Sequence, residues 1–388
     1  MRVLVGSPGR FHTFDLARQL ERGGHLLRLF TGYPKWKVDG LPSGRVKSFP
    51  WLLAPAMLVG RLGLESVERR LNRAAIESFD RWMAARLEEC DVFHSLSSFG
   101  VASHRAARQR FGALTVCDRG SSHILFQDEL LAEEFARWGA HYTPTDRRIC
   151  ERELQEYEEC DRIVLPSSFA LQTFLARGVP AAKLRKVSYG VDLRLFRAVP
   201  KEDDVFRVLY AGALSLRKGI PYLCEALADL RLPKFEVWLI GHLQAEVRPF
   251  LEKYLSSFRH LGAVPRTQLY SYYSQASVLV QPSLEEGLSL VLAQAMACGV
   301  PAIATTNTGA ADLFTDGVEG FIVGIRDPAA IREKVLYLYE HPERREEMAR
   351  AAQERVKSQG GWTQYGDQMV GVYSQALAER NRGAGARA

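Results

Sequence analysis

The chain has 388 residues, which is too long for one ordinary hydrophobic core, so the sequence predicts two α/β domains of nearly equal size. Its 47% hydrophobic and 25% charged residues are typical of a globular protein, and no low-complexity tract occurs. The formal net charge of +6 comes from residues 1–200, where 30 Lys and Arg accompany 23 Asp and Glu; this excess suits nucleic acid, anionic lipid headgroups or phosphorylated substrates without choosing among them.

The first half of the chain alternates short apolar runs with longer helix-like stretches. The runs are RVLVG (2–6), HLLRLFTG (25–32), DVFHSL (91–96), LTVCDR (114–119) and RIVLPS (162–167). This alternation predicts parallel β-strands joined by crossover helices. The first run is far too short for a signal peptide, so we expect a cytoplasmic location.

An apolar stretch at 49–60, FPWLLAPAMLVG, is shorter than the about 20 residues that a bilayer-spanning helix needs. Two interpretations stay open. The stretch packs on the domain, or residues 49–64 touch the inner face of a membrane as a peripheral contact. The second interpretation is based on Lys47 and Arg61, which flank the apolar side chains, and on Trp51, which could lie at the level of the lipid headgroups.

A second series of strands follows an irregular, charged segment at 189–204, which predicts a linker between domains. The runs are FRVLYAG (206–212), FEVWLIG (235–241), SVLVQPS (277–283), PAIAT (301–305) and EGFIVG (319–324). We therefore predict domains at 1–195 and 196–361, and a terminal helix at 362–380 that packs back on the first domain. Two doubly wound domains would face each other across a cleft lined by the carboxyl ends of their strands.

The stretch PSLEEGLSLVLAQAMACGVP (282–301) predicts a strand end, an acidic turn and a helix. The first helical amides would belong to Gly287, Leu288 and Ser289, where unpaired N–H groups and the helix dipole favour an anion. Glu286 could accept hydrogen bonds from sugar hydroxyls. Gln294 lies eight residues further, or about 12 Å along a helix, so one helix could bind both ends of a sugar nucleotide. Alternatively, the Glu caps the helix and the Gln is an ordinary polar position.

A second motif, YAGALSLRKGIPYL (210–223), places Arg217 and Lys218 at the start of a predicted helix. Cations there oppose the helix dipole, so an anionic ligand is indicated, although a solvated basic turn stays an alternative. The glycine spacing is not that of a Walker loop.

Two weaker motifs follow strands of the first half. VGSPGRFH (5–12) contains Gly9, which permits close backbone approach but does not form a GxGxxG pattern. CDRGSSH (117–123) places Asp118, Arg119 and His123 after a strand end, where they could contact a ligand; a single His is more often structural.

Metal and disulfide chemistry find no support in the sequence. The six cysteines show no CxxC spacing, so we expect reduced thiols rather than a zinc site or a disulfide framework. No DxD triplet occurs, and no metal or other cofactor is expected.

Taken together, six stretches resemble the family 4 glycosyltransferases, which are retaining enzymes of the GT-B fold. The stretches are PSLEEGLSLVLAQAMACGVPAIAT (282–305), GALSLRKG (212–219), CDRIVLPSSF (160–169), KVSYGVDLRLF (186–196), HLGAVPRTQLYSYYSQASVLV (260–280) and TGAADLFTDGVEGFIV (308–323). The resemblance is dense between residues 161 and 324 and looser over the first 150 residues, where acceptors bind.

The resemblance implies roles for the helix that follows residue 286. Glu286 would bind hydroxyls of the donor hexose, and the amides of 287–289 would face the diphosphate and the sugar. Gln294 occupies the position of a second acid that binds the ribose. This substitution departs from the family pattern, although an amide can still bond a diol.

The resemblance also implies that Lys218 binds phosphate and that Val264 lies against the base. Ala213 stands where the family often has an arginine, so Arg217 would supply that charge from a shifted position. In the first domain Gly9 would lie near the phosphates. A family histidine that meets the donor sugar is replaced by Asp118 and Arg119, with His123 further along the chain.

By this resemblance the protein would move a hexose from a nucleotide-diphosphate sugar to a glycan, lipid-linked or small-molecule acceptor in cell-surface polysaccharide or glycolipid synthesis. Arg217, Lys218 and Glu286 would act catalytically, because charge gathers on the leaving diphosphate and fixed cations and N–H groups stabilise it.

Alternatives stay open. A sugar-nucleotide epimerase shares the fold. A nicotinamide-dependent dehydrogenase would need a GxGxxG motif, and a nucleic-acid-binding protein would need a Lys/Arg stripe with interleaved aromatic residues; the sequence has neither. An inactive relative is a further alternative, because Gln294 replaces an acid.

Overall fold

The computed structural model describes residues 1–49, 65–254 and 257–385, and these form two parallel sheets. The first sheet has the strand order β3-β2-β1-β4-β5-β6-β7. Its strands are β1 (Val3–Ser7), β2 (Leu26–Thr31), β3 (Val46–Ser48), β4 (Val92–Leu96), β5 (Leu114–Asp118), β6 (Arg162–Leu165) and β7 (Leu184–Lys186). The helices of this domain are α1 (His12–Arg22), α2 (Glu65–Ala85), α3 (Val101–Phe111), α4 (Ile124–Arg137), α5 (Arg147–Glu159) and α6 (Ser168–Leu175).

Helices cover both faces of the first sheet. Every residue of β1 is buried. Val3 and Val5 pack in one cluster with Phe14 of α1, whereas Leu4 packs in another with Phe79 of α2. Successive side chains of a strand point to opposite faces, so a nearly continuous apolar run is what a doubly covered parallel sheet requires.

The second domain repeats the arrangement with the strand order β10-β9-β8-β11-β12-β13. Its strands are β8 (Phe206–Ala211), β9 (Phe235–Ile240), β10 (Arg259–His260), β11 (Val278–Gln281), β12 (Ala302–Thr305) and β13 (Gly320–Val323). Its helices are α7 (Ile220–Leu227), α8 (Arg248–Tyr254), α9 (Leu269–Gln275), α10 (Leu290–Ala297), α11 (Ala310–Leu313), α12 (Pro328–Glu340) and α13 (Pro342–Gln359). The prediction of two doubly wound α/β domains is confirmed.

Three short strands, β3, β7 and β10, are absent from the sequence prediction. Each has only two or three residues and lies at the edge of a sheet, where part of the strand is solvated. A run this short carries no readable periodicity. The strand that ends at Asp118 is the fourth apolar run of the sequence prediction. Because β3 precedes it, this strand is the fifth of its domain.

The terminal helix α14 (Trp362–Gly385) lies on the first domain, although it follows the second in the chain. Tyr365, Met369 and Tyr373 are buried in the same cluster as the β1 valines and Phe14. The chain returns beside the linker, where Val191 and Gly361 form a parallel bridge.

The stretch at 49–64, for which domain packing and a membrane contact are both open, falls outside the described residues except for Phe49, whose ring stacks on Trp82 with centroids 5.1 Å apart. Within the described ranges, each helix is too short or too polar to cross a bilayer. All six cysteines are free thiols, and five are buried.

Candidate active site

The loop after β5 touches the loop after β11. A Cβ added to Gly287 would lie 2.0 Å from the carbonyl oxygen of Gly120, so only glycine fits there. The hydroxyl of Ser167, which follows β6, donates to the carbonyl of Gly287. Since these loops leave the carboxyl ends of their strands, both sheets present their ligand-binding edges to one cleft.

The ammonium of Lys218 lies 2.6 Å from Oε1 of Glu286. The same oxygen accepts hydrogen bonds from Nε2 of Gln281 at 3.0 Å and from the hydroxyl of Ser283 at 3.1 Å. Burial alone would raise the pKa of Glu286, but the charge of Lys218 and its hydrogen bond lower it. The two groups that the sequence placed on separate loops therefore form one ion pair, and Glu286 is a fixed carboxylate that can accept hydroxyl groups.

Glycine at position 219 allows these two loops to meet. Gly219 adopts a left-handed conformation, with φ 70°, immediately before α7. A Cβ there would lie 2.0 Å from the carbonyl oxygen of Pro282. Any other residue would push the loop of Lys218 away from the loop of Glu286.

Arg217 lies at the contact between the domains. Its Nη2 is 2.8 Å from Oε2 of Glu285 and 3.4 Å from the hydroxyl of Ser121 in the first domain. The Arg217 side chain is 36% exposed, so part of its five-donor fork stays available to a ligand.

Glu285, which the sequence analysis did not assign to the site, is completely buried and bonds to the first domain. Its carboxylate accepts from the hydroxyls of Ser121 at 2.6 Å and Ser122 at 2.7 Å, from the Ser122 amide at 3.0 Å and from Gln127 Nε2 at 3.0 Å. Burial alone would raise its pKa, but Arg217 and the serine hydrogen bonds lower the pKa of Glu285 to about 2. Glu285 therefore joins the two domains as a charged group.

Helix α10 begins at Leu290, later than predicted. Ser289 is its N-cap residue, and the Ser289 amide donates to the carbonyl of Thr308 at 3.0 Å, so it is not available to a ligand. The amides of Gly287 and Leu288 have no partner within the described ranges. The anion site predicted at this helix start consequently has two unpaired amides in the preceding loop rather than three helical ones.

Gln294 lines a pocket of about 390 Å³ in the cleft. The pocket wall also includes His12 and Arg10 of the first domain and Arg266 and Leu290 of the second. Gln294 is 8% exposed, and its Oε1 accepts from the hydroxyl of Tyr273 at 3.1 Å. An amide held in this way can turn its NH₂ group toward the pocket.

Two other predicted contacts lie near this pocket. Val264 is half-buried against the core that contains α10, two residues before Arg266. Gly9 forms a tight turn before α1, in which its carbonyl accepts from the Phe11 amide at 3.1 Å and from the Ser7 hydroxyl at 2.9 Å.

Asp118 is buried beneath the cleft. Its Oδ2 lies 2.7 Å from Nε2 of His12 and 3.0 Å from Nε2 of His94. Burial alone would raise the pKa of Asp118, but the two imidazoles lower it below the ordinary range. Asp118 itself does not line the cleft pocket, whereas His12, to which it bonds, does.

Arg119 and His123 also have protein partners. Arg119 pairs with Glu153 at 3.0 Å and donates to Gln127 at 2.7 Å. His123 caps α4 by accepting from the Leu125 amide at 3.3 Å, and its ring packs against Phe174. Burial lowers the pKa of His123 to about 4, which favours the neutral ring. Both side chains therefore support the loop after β5.

Models of two known families match the chain, one over each domain. A model of the Glycosyltransferase Family 4 matches residues 10–195, and a model of glycosyl transferases group 1 matches residues 192–355. The chain belongs to the family 4 glycosyltransferases. Both models describe glycosyltransferases, so the epimerase alternative is not supported.

Relatives of this glycosyltransferase match along its whole length. An uncharacterized glycosyltransferase of Methanocaldococcus jannaschii is 25% identical over 400 residues, covering 96% of this chain and 95% of that protein. Sucrose-phosphate synthase from Thermosynechococcus elongatus superposes with a TM-score of 0.72 at 21% identity, over 98% of this chain and 100% of that one. Anabaena HepE in complex with UDP-glucose gives 0.69 at 17% identity, over 97% and 100%. These structures show the GT-B fold that the sequence predicted.

In this glycosyltransferase the structure brings together the predicted residues Arg217, Lys218, Glu286 and Gly287, and it places Gln294 on the cleft wall. Asp118, Arg119 and His123 are instead engaged behind the cleft. Their roles, and those of the residues that converge, stay predictions.

Proposed function

We propose that this glycosyltransferase moves a hexose from a nucleotide-diphosphate sugar to a hydroxyl of a glycan, lipid-linked or small-molecule acceptor, with retention at the anomeric carbon and without a metal. The site would serve synthesis of a cell-surface polysaccharide or glycolipid. One observation carries the proposal: the 2.6 Å contact between Lys218 and Glu286, whose loops follow the carboxyl ends of β8 and β11. It joins a cation suited to a diphosphate with a carboxylate suited to sugar hydroxyls.

The choice of donor class has two supports. The family itself transfers glycosyl groups, and the fold is similar to that of HepE, whose solved complex contains UDP-glucose. Arg10 and Arg266 line the cleft pocket together with Asp15 and Asp192, so the nucleotide assignment rests on the family and on the fold and not on the charge of the pocket. Gln294, which lines the same pocket, is the candidate for the ribose.

Stabilisation of the leaving diphosphate would come from fixed groups. Lys218, the exposed part of Arg217 and the unpaired amides of Gly287 and Leu288 belong to two loops of the second domain that are in contact. A positioned donor of this kind contributes about 3 kcal/mol to transition-state stabilisation in a dry site. Because Glu285 already holds Arg217, that guanidinium would not need to reorganise when the donor binds.

A thermal-shift screen tests the proposal. Uridine, adenosine and guanosine diphosphates and their glucose esters are added to the full chain, with and without EDTA. We expect at least one nucleotide sugar to raise the melting temperature, because a ligand of the native state stabilises it by mass action, and to do so equally with EDTA. No shift with any of these compounds would reject the proposal, and a shift abolished by EDTA would reject metal independence.

A further inference from the structure

His12 is the first residue of α1 and forms part of the cleft pocket. In the sequence it ends the glycine-containing stretch VGSPGRFH (5–12), and no sequence pattern indicates a role for it. Its side chain is 7% exposed, and its Nε2 bonds to Asp118. The other ring nitrogen, Nδ1, has no hydrogen-bond partner in the described part of the chain. His12 therefore offers one nitrogen to whatever occupies the pocket.

Asp118 determines how this imidazole is held. Its Oδ2 accepts from both His12 and His94, and Nδ1 of His94 lies 3.0 Å from the hydroxyl of Tyr373 on α14. A carboxylate only accepts hydrogen bonds, so the Nε2 atoms of both histidines carry protons. Tyr373 in turn donates to His94. The chain of contacts from α14 to the cleft thus fixes the ring of His12 and leaves its Nδ1 facing outward.

The position of His12 relative to the second domain follows from Gly120. A Cβ added to Gly120 would lie 3.4 Å from Cε1 of His12, and one added to Gly287 would lie 2.0 Å from the Gly120 carbonyl oxygen. A single glycine therefore separates His12 from the loop that carries Glu286. The ring of Tyr189 packs against His12, with centroids 4.3 Å apart and ring planes tilted by 31°.

We propose that His12 is a further substrate-contacting residue, whose Nδ1 bonds to an oxygen of the nucleotide sugar, and that Asp118 is a positioning residue that holds the ring. The inference rests on the proposed function. With Nε2 protonated, Nδ1 accepts a hydrogen bond from a sugar hydroxyl when the ring is neutral, and it donates to a phosphate oxygen when the ring is the imidazolium. A contact with a phosphate oxygen and a contact with a sugar hydroxyl predict different effects on the affinities for UDP and UDP-glucose.

Two substitutions at position 12 separate the roles of the ring nitrogens. In His12→Gln the amide nitrogen can occupy the place of Nε2 and keep the bond to Asp118, while nothing replaces Nδ1. In His12→Asn the shorter side chain places a polar atom near Nδ1 and cannot reach Asp118. We expect the Gln variant to be as heat-stable as the unaltered protein but defective in binding, and the Asn variant to bind better than the Gln variant.

Calorimetric titration with UDP and with UDP-glucose, or with the corresponding pair for the nucleotide that gives the largest thermal shift, tests the proposal. We expect His12→Gln to weaken UDP-glucose binding about tenfold. An equal loss for UDP places the contact on a phosphate, whereas an unchanged UDP affinity places it on the hexose. His341→Gln, an exposed substitution at the start of α13, should change neither.

The role of Asp118 has its own readout. Histidine ¹⁵N spectra should show the His12 proton on Nε2 in the unaltered protein, and Asp118→Asn should remove that preference and weaken UDP-glucose binding. Unchanged affinities in His12→Gln, in a protein that binds nucleotide sugars, would overturn this inference and leave the proposed function intact. Failure of every nucleotide and nucleotide sugar to bind the unaltered protein would overturn both.

Discussion

The carboxylate of Glu285 accepts hydrogen bonds from the amide of Ser122, at 3.0 Å, and from its hydroxyl, at 2.7 Å, across the boundary between the two domains. Glu285 belongs to the loop that carries the predicted catalytic Glu286, and Ser122 belongs to the loop after β5. Glu285 is therefore one of the buried charged groups that join the two domains, together with Glu134, which pairs with Arg326, and Asp312, which pairs with Lys186. Two of the predictions below follow from the contacts of Glu285.

Glu285→Ala should open the cleft, because it leaves Ser121, Ser122, Gln127 and Arg217 without their shared acceptor. Removing one partner of a buried charged contact destabilises by about 3 to 5 kcal/mol. The pairs of Arg326 with Glu134 and of Lys186 with Asp312 remain, so we expect a wider cleft and not separated domains. We expect a larger radius of gyration in solution scattering and a lower kcat for transfer. Glu285→Gln should show a smaller change, and Glu354→Ala, an exposed position on α13, should show none. Scattering curves that coincide for the Ala variant and the unaltered protein would refute the role of Glu285.

The buried carboxylate of Glu285 also predicts that the stability of the protein depends on pH. The pKa of Glu285 falls from its ordinary value of 4.5 to about 2 in the folded protein. A lowered folded pKa stabilises the native state at pH values above 4.5 and loses that contribution as the pH falls toward 2. The contribution is about 3 kcal/mol. Denaturant unfolding between these pH values should therefore show a steeper loss of the free energy of unfolding in the unaltered protein than in Glu285→Gln. Parallel curves would contradict the assignment.

Gly287→Ala should impair closure without unfolding either domain. The added Cβ would lie 2.0 Å from the Gly120 carbonyl oxygen, and both partners are backbone, so the loops must separate. We expect transfer activity to fall by at least tenfold while the melting temperature changes little. Gly371→Ala on α14 is the matched control, because a Cβ there meets nothing within 4 Å. Full activity in the Gly287 variant would show that this close approach is not used in turnover.

The sequence predicted those parts of the protein whose signals are local. Buried strands with continuous apolar runs, and the groups at their ends such as Lys218 and Glu286, can be recognised within about ten residues of chain. The strand β10, with two residues, has no such signal. Glu285 and Glu286 are neighbours, and only the fold decides that one faces Lys218 and the other faces the first domain.

His12 was beyond sequence reasoning for a related reason. Its partner Asp118 is 106 residues away, and no spacing rule connects them. The motif of Asp118 was recognised, yet it was interpreted as a ligand contact because strand ends usually face a cleft. In the structure that carboxylate is buried and bonds to His12 and His94, which is the basis of the positioning role that we propose for it. A polar residue at the start of a helix, opposite a buried acid, is a pattern that becomes visible only in three dimensions.

The most direct test of the central claim, that Lys218 and Glu286 act together on a nucleotide sugar, is the rate of diphosphate release in variants of these two residues. The substrate is the nucleotide sugar that gives the largest thermal shift. Lys218→Ala and Glu286→Ala should each lower the rate at least a hundredfold, or about 3 kcal/mol per group, while the melting temperature shows that the protein stays folded. Lys357→Ala, an exposed position on α13, should leave the rate unchanged. Near-normal release in either of the first two variants would contradict the account.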